Sequence, residues 1–141
     1  MEGTGAVIAG RRTYEDSLPW WGADGPTGQA RVPVFVVCHD VPEDTPVGGV
    51  YTFVTEGIES ALEQAREAAG EKDVTVMGGA ETGQQYLRAG LIHELSIHLI
   101  PVLFGTGTRM FQSLGDGDVQ LANAGSIQTS AATHLRFRFA R

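Results

Sequence analysis

The stretch that decides the fold is GAVIAGRRTYE, which runs from Gly5 to Glu15. Its apolar part, residues 6–9, is short and continuous, a pattern typical of a strand buried on both faces. Gly10 ends this strand, and the residues after it suit the start of a helix. Glycine lets the backbone approach a ligand closely, and the free N–H groups of a new helix attract anions.

Side chains at the same junction could also hold a phosphate. A guanidinium at Arg11 or Arg12 can clamp a phosphate through two parallel hydrogen bonds, and the Thr13 hydroxyl adds a donor. An ordinary tight turn with two solvated arginines explains the same residues. The first stretch alone therefore leaves both interpretations open.

A second junction of this kind lies in the sequence VTVMGGAET, residues 74–82. A predicted buried strand meets Gly78 and Gly79, and a helix is expected directly after them, an arrangement that can cradle a pyrophosphate. The glycine spacing matches neither the Rossmann fingerprint nor the Walker A loop. Two such junctions in one small domain favour a dinucleotide that bridges them.

Strand and helix signals alternate along the rest of the chain, which predicts a single α/β domain over residues 1–141. The tail, residues 119–141, favours an antiparallel hairpin. The remaining strands are expected at residues 32–38, 50–54, 74–77 and 91–104, and the helices at residues 12–18 (ending before Pro19), 58–69 and 81–89.

Composition narrows the class of protein. The chain has 141 residues and a net charge of -7, which suits one small core and argues against nucleic-acid binding. No apolar stretch approaches the roughly 20 residues that span a bilayer, so we expect no membrane partner. The single cysteine, Cys38, fits a reducing compartment, so we expect a cytoplasmic protein.

The remaining polar residues suggest little chemistry. His93 and His98 are the only closely spaced histidines and would point to opposite faces of a strand, so no metal site is predicted. Glycines in residues 101–111 favour a change of chain direction, with Arg109 pairing locally. No nucleophile motif is present, and no catalytic residue is assigned.

Four blocks of the chain, in order, resemble the dihydrofolate-reductase superfamily: residues 5–15, 32–39, 76–82 and 90–107. The resemblance is greater to the C-terminal reductase domain of bacterial bifunctional riboflavin-biosynthesis deaminase/reductases and its stand-alone relatives. It implies a three-layer α/β fold with a mixed, mostly parallel central sheet and a C-terminal antiparallel hairpin. Relatives begin with one more strand and helix, so the resemblance implies an N-terminally truncated domain that lacks part of the substrate site.

The resemblance also implies NADPH as cofactor, because an arginine at the place of Arg11 faces the adenosine 2′-phosphate in relatives. His98 falls on the strand that reaches the substrate side of the nicotinamide, although a structural role explains it equally well. The residues assigned to substrate contacts are Leu18, Trp20 and His98. Cofactor contacts are assigned to Gly10, Arg11, Arg12, Thr13, Cys38, His39, Met77, Gly78, Gly79, Ala80, Glu81 and Thr82.

The function implied is NADPH-dependent hydride transfer to a small heterocyclic substrate, of the 5-amino-6-ribosylaminouracil-phosphate kind used in riboflavin biosynthesis. A dihydrofolate or pteridine reductase is one alternative. A non-catalytic nucleotide-binding or assembly domain with an incomplete site is another, from a different class. Because stand-alone relatives commonly pair, a homodimer is also expected.

Overall fold

The computed structural model describes residues 3–43, 45–77, 80–103, 105 and 120–139, and every structural statement below concerns these residues. The chain divides into two compact units, the first ending at Gln85 and the second beginning at Tyr86. The first contains a four-stranded parallel sheet and the second a three-stranded antiparallel sheet, which confirms the mixed α/β class. A single domain over the whole chain stays a prediction.

The helices and strands follow the order expected from the sequence. Two short 3-10 turns, Gly22–Asp24 and Gly28–Ala30, interrupt the loop after the first helix. The elements are β1 (Thr4–Gly10), α1 (Arg11–Trp21), β2 (Val34–Val37), β3 (Tyr51–Val54), α2 (Ile58–Ala69), β4 (Asp73–Met77), α3 (Ala80–Arg88), β5 (Glu94–Leu99), β6 (Leu121–Gln128) and β7 (Thr133–Phe139).

The parallel sheet has the strand order β3-β2-β1-β4, which places β1 between two neighbours. This position explains why the apolar residues 6–9 are fully buried. Ala9 of β1 lies beside Met77 of β4, and Gly10 lies beside Val37 of β2. The four strands therefore end at the same edge of the sheet.

Aromatic and aliphatic side chains fill the core between α1 and the sheet. Tyr14 of α1 packs in a cluster with Val7 and Ala9 of β1 and with Val34 and Val36 of β2. Its ring also meets two aromatic rings of β3 edge to face, at centroid distances of 5.0 and 5.2 Å. Such pairs add stability beyond the area they bury.

Helix α2 crosses from β3 to β4 and packs against the sheet through small residues. Ala61, Ala65 and Ala69 are its buried positions. A Cβ added at Gly5 of β1 would lie only 2.9 Å from the Ala69 backbone and 2.7 Å from Lys72 Cβ. Glycine at position 5 is therefore required for the end of α2 to approach β1 this closely.

The predicted C-terminal hairpin is confirmed as β6 and β7, joined through Thr129 and Ala132, which hydrogen-bond across the turn. The antiparallel sheet is larger than a hairpin, because β5 pairs with β7 and gives the order β5-β7-β6. Pairing between segments so far apart in sequence leaves no local pattern by which it could be predicted.

Two elements have boundaries that the sequence misplaced by three residues or more. Helix α1 does not end before Pro19 but includes it and continues to Trp21. Leu18 and Trp21 pack against the core cluster, which holds the last turn although Pro19 donates no hydrogen bond. Strand β5 covers only Glu94–Leu99 of the predicted 91–104, since the Val102 N–H turns back to the Ile100 carbonyl.

Candidate functional site

The carboxyl edge of the parallel sheet contains a topological switch point. From β1 the chain passes to β2 and β3 on one side, and it then crosses through α2 to β4 on the other side of β1. In open α/β sheets, ligands bind in the crevice at such a point, outside the carboxyl ends of the strands. Both junctions singled out in the sequence, after β1 and after β4, lie at this point.

The structure brings the two junctions into direct contact. A Cβ added to Gly10, at the end of β1, would overlap Oγ1 of Thr82 in α3. Thr82 is buried, and Gly10 has an ordinary extended backbone (φ -78°, ψ 163°). Glycine is therefore needed at position 10 for packing against Thr82 rather than for an unusual backbone angle.

Helix α1 begins at the residue after Gly10, and no side chain caps its N-terminus. The N–H groups of the first turn of a helix have no partner within the helix and carry its positive dipole end. Arg11, Arg12 and Thr13 occupy that turn, with both arginines exposed and Thr13 half-buried. These donors suit a phosphate group.

Arg11 is held in a defined position by the Glu15 carboxylate and the main-chain carbonyl of Asp40. Its Nε donates to Glu15 Oε1 at 2.6 Å, and its Nη1 donates to the Asp40 carbonyl at 3.4 Å. The hydrogen bond to Glu15 raises the pKa of Arg11, so the guanidinium stays charged. Because Glu15 engages Nε, most of the N–H groups on the two terminal nitrogens remain able to bind an anion.

The segment after β2 lies beside Arg11, whose Nη1 donates to the Asp40 carbonyl. Cys38 is buried: its N–H donates to the Val54 carbonyl at 3.1 Å, and its Sγ lies 4.0 Å from the same oxygen. Burial raises the pKa of the Cys38 thiol. The adjacent His39 is exposed. Of the pair, only His39 therefore presents a side chain to solvent, and cofactor contacts at either residue stay a prediction.

The remaining cofactor assignments lie around the start of α3. Met77 ends β4 half-buried and packs against the core cluster. Gly78 and Gly79 lie outside the described residues. The helix then begins at Ala80, so Ala80, Glu81 and Thr82 form its first turn. The backbone N–H groups of this first turn suit a pyrophosphate. The cofactor contacts themselves stay a prediction.

The three residues assigned to the substrate lie in different surroundings. Leu18 is half-buried and packs against the core cluster, whereas Trp20 is 82% exposed. His98 belongs to the second unit, where its ring faces His134 of β7. Arg109 of the predicted bend lies outside the described residues.

Sequence reasoning missed three residues that contact the candidate site residues. Glu15 and Asp40 contact Arg11, and His134 faces His98. Glu15 follows Arg11 by four residues on one helix, a spacing at which opposite charges meet, so the pair could have been found. Asp40 and His134 gave no such signal. Their positions depend on which strands neighbour β1 and β5, and on the register between them.

The fold and the site together define a small α/β protein in which two strand-to-helix junctions meet at a topological switch point of the parallel sheet. The sequence model of the RibD C-terminal domain matches residues 1–135. The chain belongs to this family.

The chain is also similar to individual proteins and solved structures. The chain is 28% identical over 134 residues to the uncharacterized protein YwjB of Bacillus subtilis, covering 93% of this chain and 71% of that protein. A Shewanella sp. PV-4 protein named for riboflavin biosynthesis superposes with a TM-score of 0.73 at 23% identity, covering 99% of this chain and 76% of that one. The Saccharomyces riboflavin biosynthesis reductase Rib7 superposes with a TM-score of 0.62 at 18% identity, covering 97% and 75%. At these identities the two structures show the shared fold.

Membrane insertion through a helix has no support in the described ranges, where every helix is too short or too polar to cross a bilayer.

Proposed function

We propose that this chain binds NADPH at the carboxyl edge of its parallel sheet and reduces a small heterocyclic substrate of the riboflavin-pathway type. The observation that carries the proposal is the contact between Gly10 and Thr82, which joins the two junctions into one surface. Membership of the RibD C-terminal domain family, and the reductase name of Rib7, support the reaction class.

The donors at this edge divide naturally between the phosphates of such a cofactor. The first turn of α3 after β4 would hold the pyrophosphate through backbone N–H groups. The Arg11 guanidinium, at the start of α1 and beside the segment after β2, would hold the 2′-phosphate of the adenosine. Glu15 and the Asp40 carbonyl keep that guanidinium in place before the ligand arrives, which lowers the entropy lost on binding.

NADPH supplies the hydride when bound, so the chain itself needs few reactive groups. Its contribution is to fix the cofactor against the sheet edge and to orient the substrate beside it. A carbonyl or imine carbon in the substrate would accept the hydride while a proton reaches the adjacent oxygen or nitrogen.

Two measurements test the proposal. Titration of the purified chain with NADPH should enhance the fluorescence of the reduced nicotinamide, with saturation below about 1 mM, the upper range of ordinary KM values. Loss of NADPH absorbance should then follow addition of a ribosylaminopyrimidine phosphate and should be weaker with dihydrofolate.

The outcomes separate the alternatives. Binding with turnover of dihydrofolate alone would identify a pteridine reductase. Binding without turnover of any substrate in the panel would identify a nucleotide-binding domain without catalysis. Absence of NADPH binding up to about 1 mM would contradict the proposal.

A further inference from the structure

The second unit contains a pair of histidines to which the proposed function gives no metal-binding role, although the resemblance assigns one of them, His98, to the substrate. His98 of β5 and His134 of β7 lie directly opposite each other in the antiparallel ladder. Their rings meet nearly perpendicular, with centroids 4.6 Å apart and an interplanar angle of 79°. The Nδ1 atoms of the two rings point at each other in hydrogen-bonding contact.

We propose that His98 and His134 form a binding site for a late first-row divalent metal ion, with the two Nδ1 atoms as ligands. Neutral imidazole is the common protein ligand for zinc, nickel and copper ions. The two Nδ1 atoms already meet across neighbouring strands, and rotation of the rings that moves these atoms apart would let both bind one ion. Each ring then carries its hydrogen on Nε2, so binding requires a change of tautomer and no net loss of a proton.

The surroundings of the pair suit an open site rather than a closed structural one. His98 is exposed and His134 half-buried. Within the described ranges no cluster of three or more His, Cys, Asp or Glu side chains occurs, so water fills the remaining coordination positions. Structural zinc sites have four protein ligands, whereas a site with open positions exchanges its ion and can accept an added ligand.

A charged residue on the same face of β7 as His134 does not leave an uncompensated positive charge beside the pair. Arg136 lies two residues from His134 on the same face of β7. Its Nε donates to Glu94 Oε1 of β5 at 2.7 Å, so a carboxylate compensates its charge. On β6, the residue opposite His134 is the uncharged Ile127. The ion would therefore lie beside the Arg136–Glu94 ion pair, which has no net charge, and beside the apolar Ile127.

The test is titration of the tag-free full chain with Cu²⁺, which the Irving–Williams order makes the tightest binder, in a non-coordinating buffer. His98→Gln and His134→Gln should each weaken binding by at least about tenfold, because each removes one of two ligands. His39→Gln and His93→Gln are the matched controls, since both remove an exposed histidine outside the pair. These controls should bind like the wild type.

Electron paramagnetic resonance of the wild-type Cu²⁺ complex gives a readout that needs no folded variant. Splitting from two equivalent nitrogens is expected, and it should change when the histidines carry ¹⁵N. Unchanged affinity in either pair variant, or splitting from one nitrogen only, would overturn the proposal. Failure of NADPH to bind would leave it unaffected, because this site lies wholly within the second unit.

Discussion

At the residue scale, a missing side chain at Gly10 and an unpartnered hydroxyl at Tyr14 shape the first unit as much as the contacts around them do. Gly10 has no Cβ, and this allows Thr82 to lie against it. Tyr14 is fully buried, yet its hydroxyl has no hydrogen-bond partner among the described residues. From each feature we predict how a substitution changes the free energy of unfolding.

Gly10→Ala should lower the free energy of unfolding by about 1–3 kcal/mol, because the new methyl group would overlap Thr82 Oγ1. Denaturant unfolding measures the loss. Combining the change with Thr82→Ala should recover part of it, since the double variant removes the overlapping atom. Gly3→Ala is the control, where the added Cβ meets nothing nearer than 3.7 Å. Equal losses in Gly10→Ala and Gly3→Ala would contradict the packing described for the two junctions.

Tyr14→Phe should leave the free energy of unfolding unchanged or raise it by up to about 1 kcal/mol, because it removes a buried hydroxyl that has no partner. Tyr51→Phe is the matched comparison in the same aromatic cluster. Its hydroxyl donates to the Gly22 carbonyl at 2.6 Å, so its loss should cost about 0.5–1.5 kcal/mol. The reverse order of the two variants in thermal unfolding would show that Tyr14 has a partner after all.

At the element scale, tertiary packing decided the boundaries that local patterns misplaced. Helix α2 was predicted at its observed bounds, because its apolar positions recur every three or four residues and Gly70 follows its end. Helix α1 continued through Pro19, because Leu18 and Trp21 contact the core cluster. Strand β5 was shorter than its apolar run, since its length follows the partner strand β7.

Pro19→Ala tests the account of α1. The proline removes one backbone hydrogen bond, that to the Glu15 carbonyl, and its ring crowds the same group. Alanine should therefore raise the free energy of unfolding by about 1–3 kcal/mol, and circular dichroism should show the helical content kept. Pro33→Ala is the control, because Pro33 lies outside every helix. A destabilised Pro19→Ala variant would show that the proline stabilises this turn.

At the scale of the whole molecule, the sequence predicted the class of fold and the two strand-to-helix junctions, after β1 and after β4, that lie at the carboxyl edge of the parallel sheet. The buried strand and the glycine junctions are local signals, and parallel strands place their carboxyl ends together. The partners of Arg11 and His98 were harder to predict, because Asp40 and His134 come near them only through strand order and register.

Charge is divided unequally along the chain, which bears on how the edge would bind the proposed ligand. Residues 1–85 contain five Lys or Arg and fourteen Asp or Glu, whereas residues 86–141 contain five and three. The unit with the proposed phosphate site is thus strongly acidic as a whole. Its affinity for an anion must come from short-range donors such as Arg11 rather than from the net field.

The most direct test of the central claim is the affinity of the Arg11→Ala variant for NADPH and for NADH, measured side by side by fluorescence titration. Loss of a charge-assisted contact to the 2′-phosphate should weaken NADPH binding by at least about tenfold, or about 1.4 kcal/mol, with little change for NADH. Arg66→Ala, which removes an exposed arginine from α2, should bind both cofactors like the wild type. Equal losses for NADPH and NADH in Arg11→Ala would contradict the assignment of Arg11 to the 2′-phosphate.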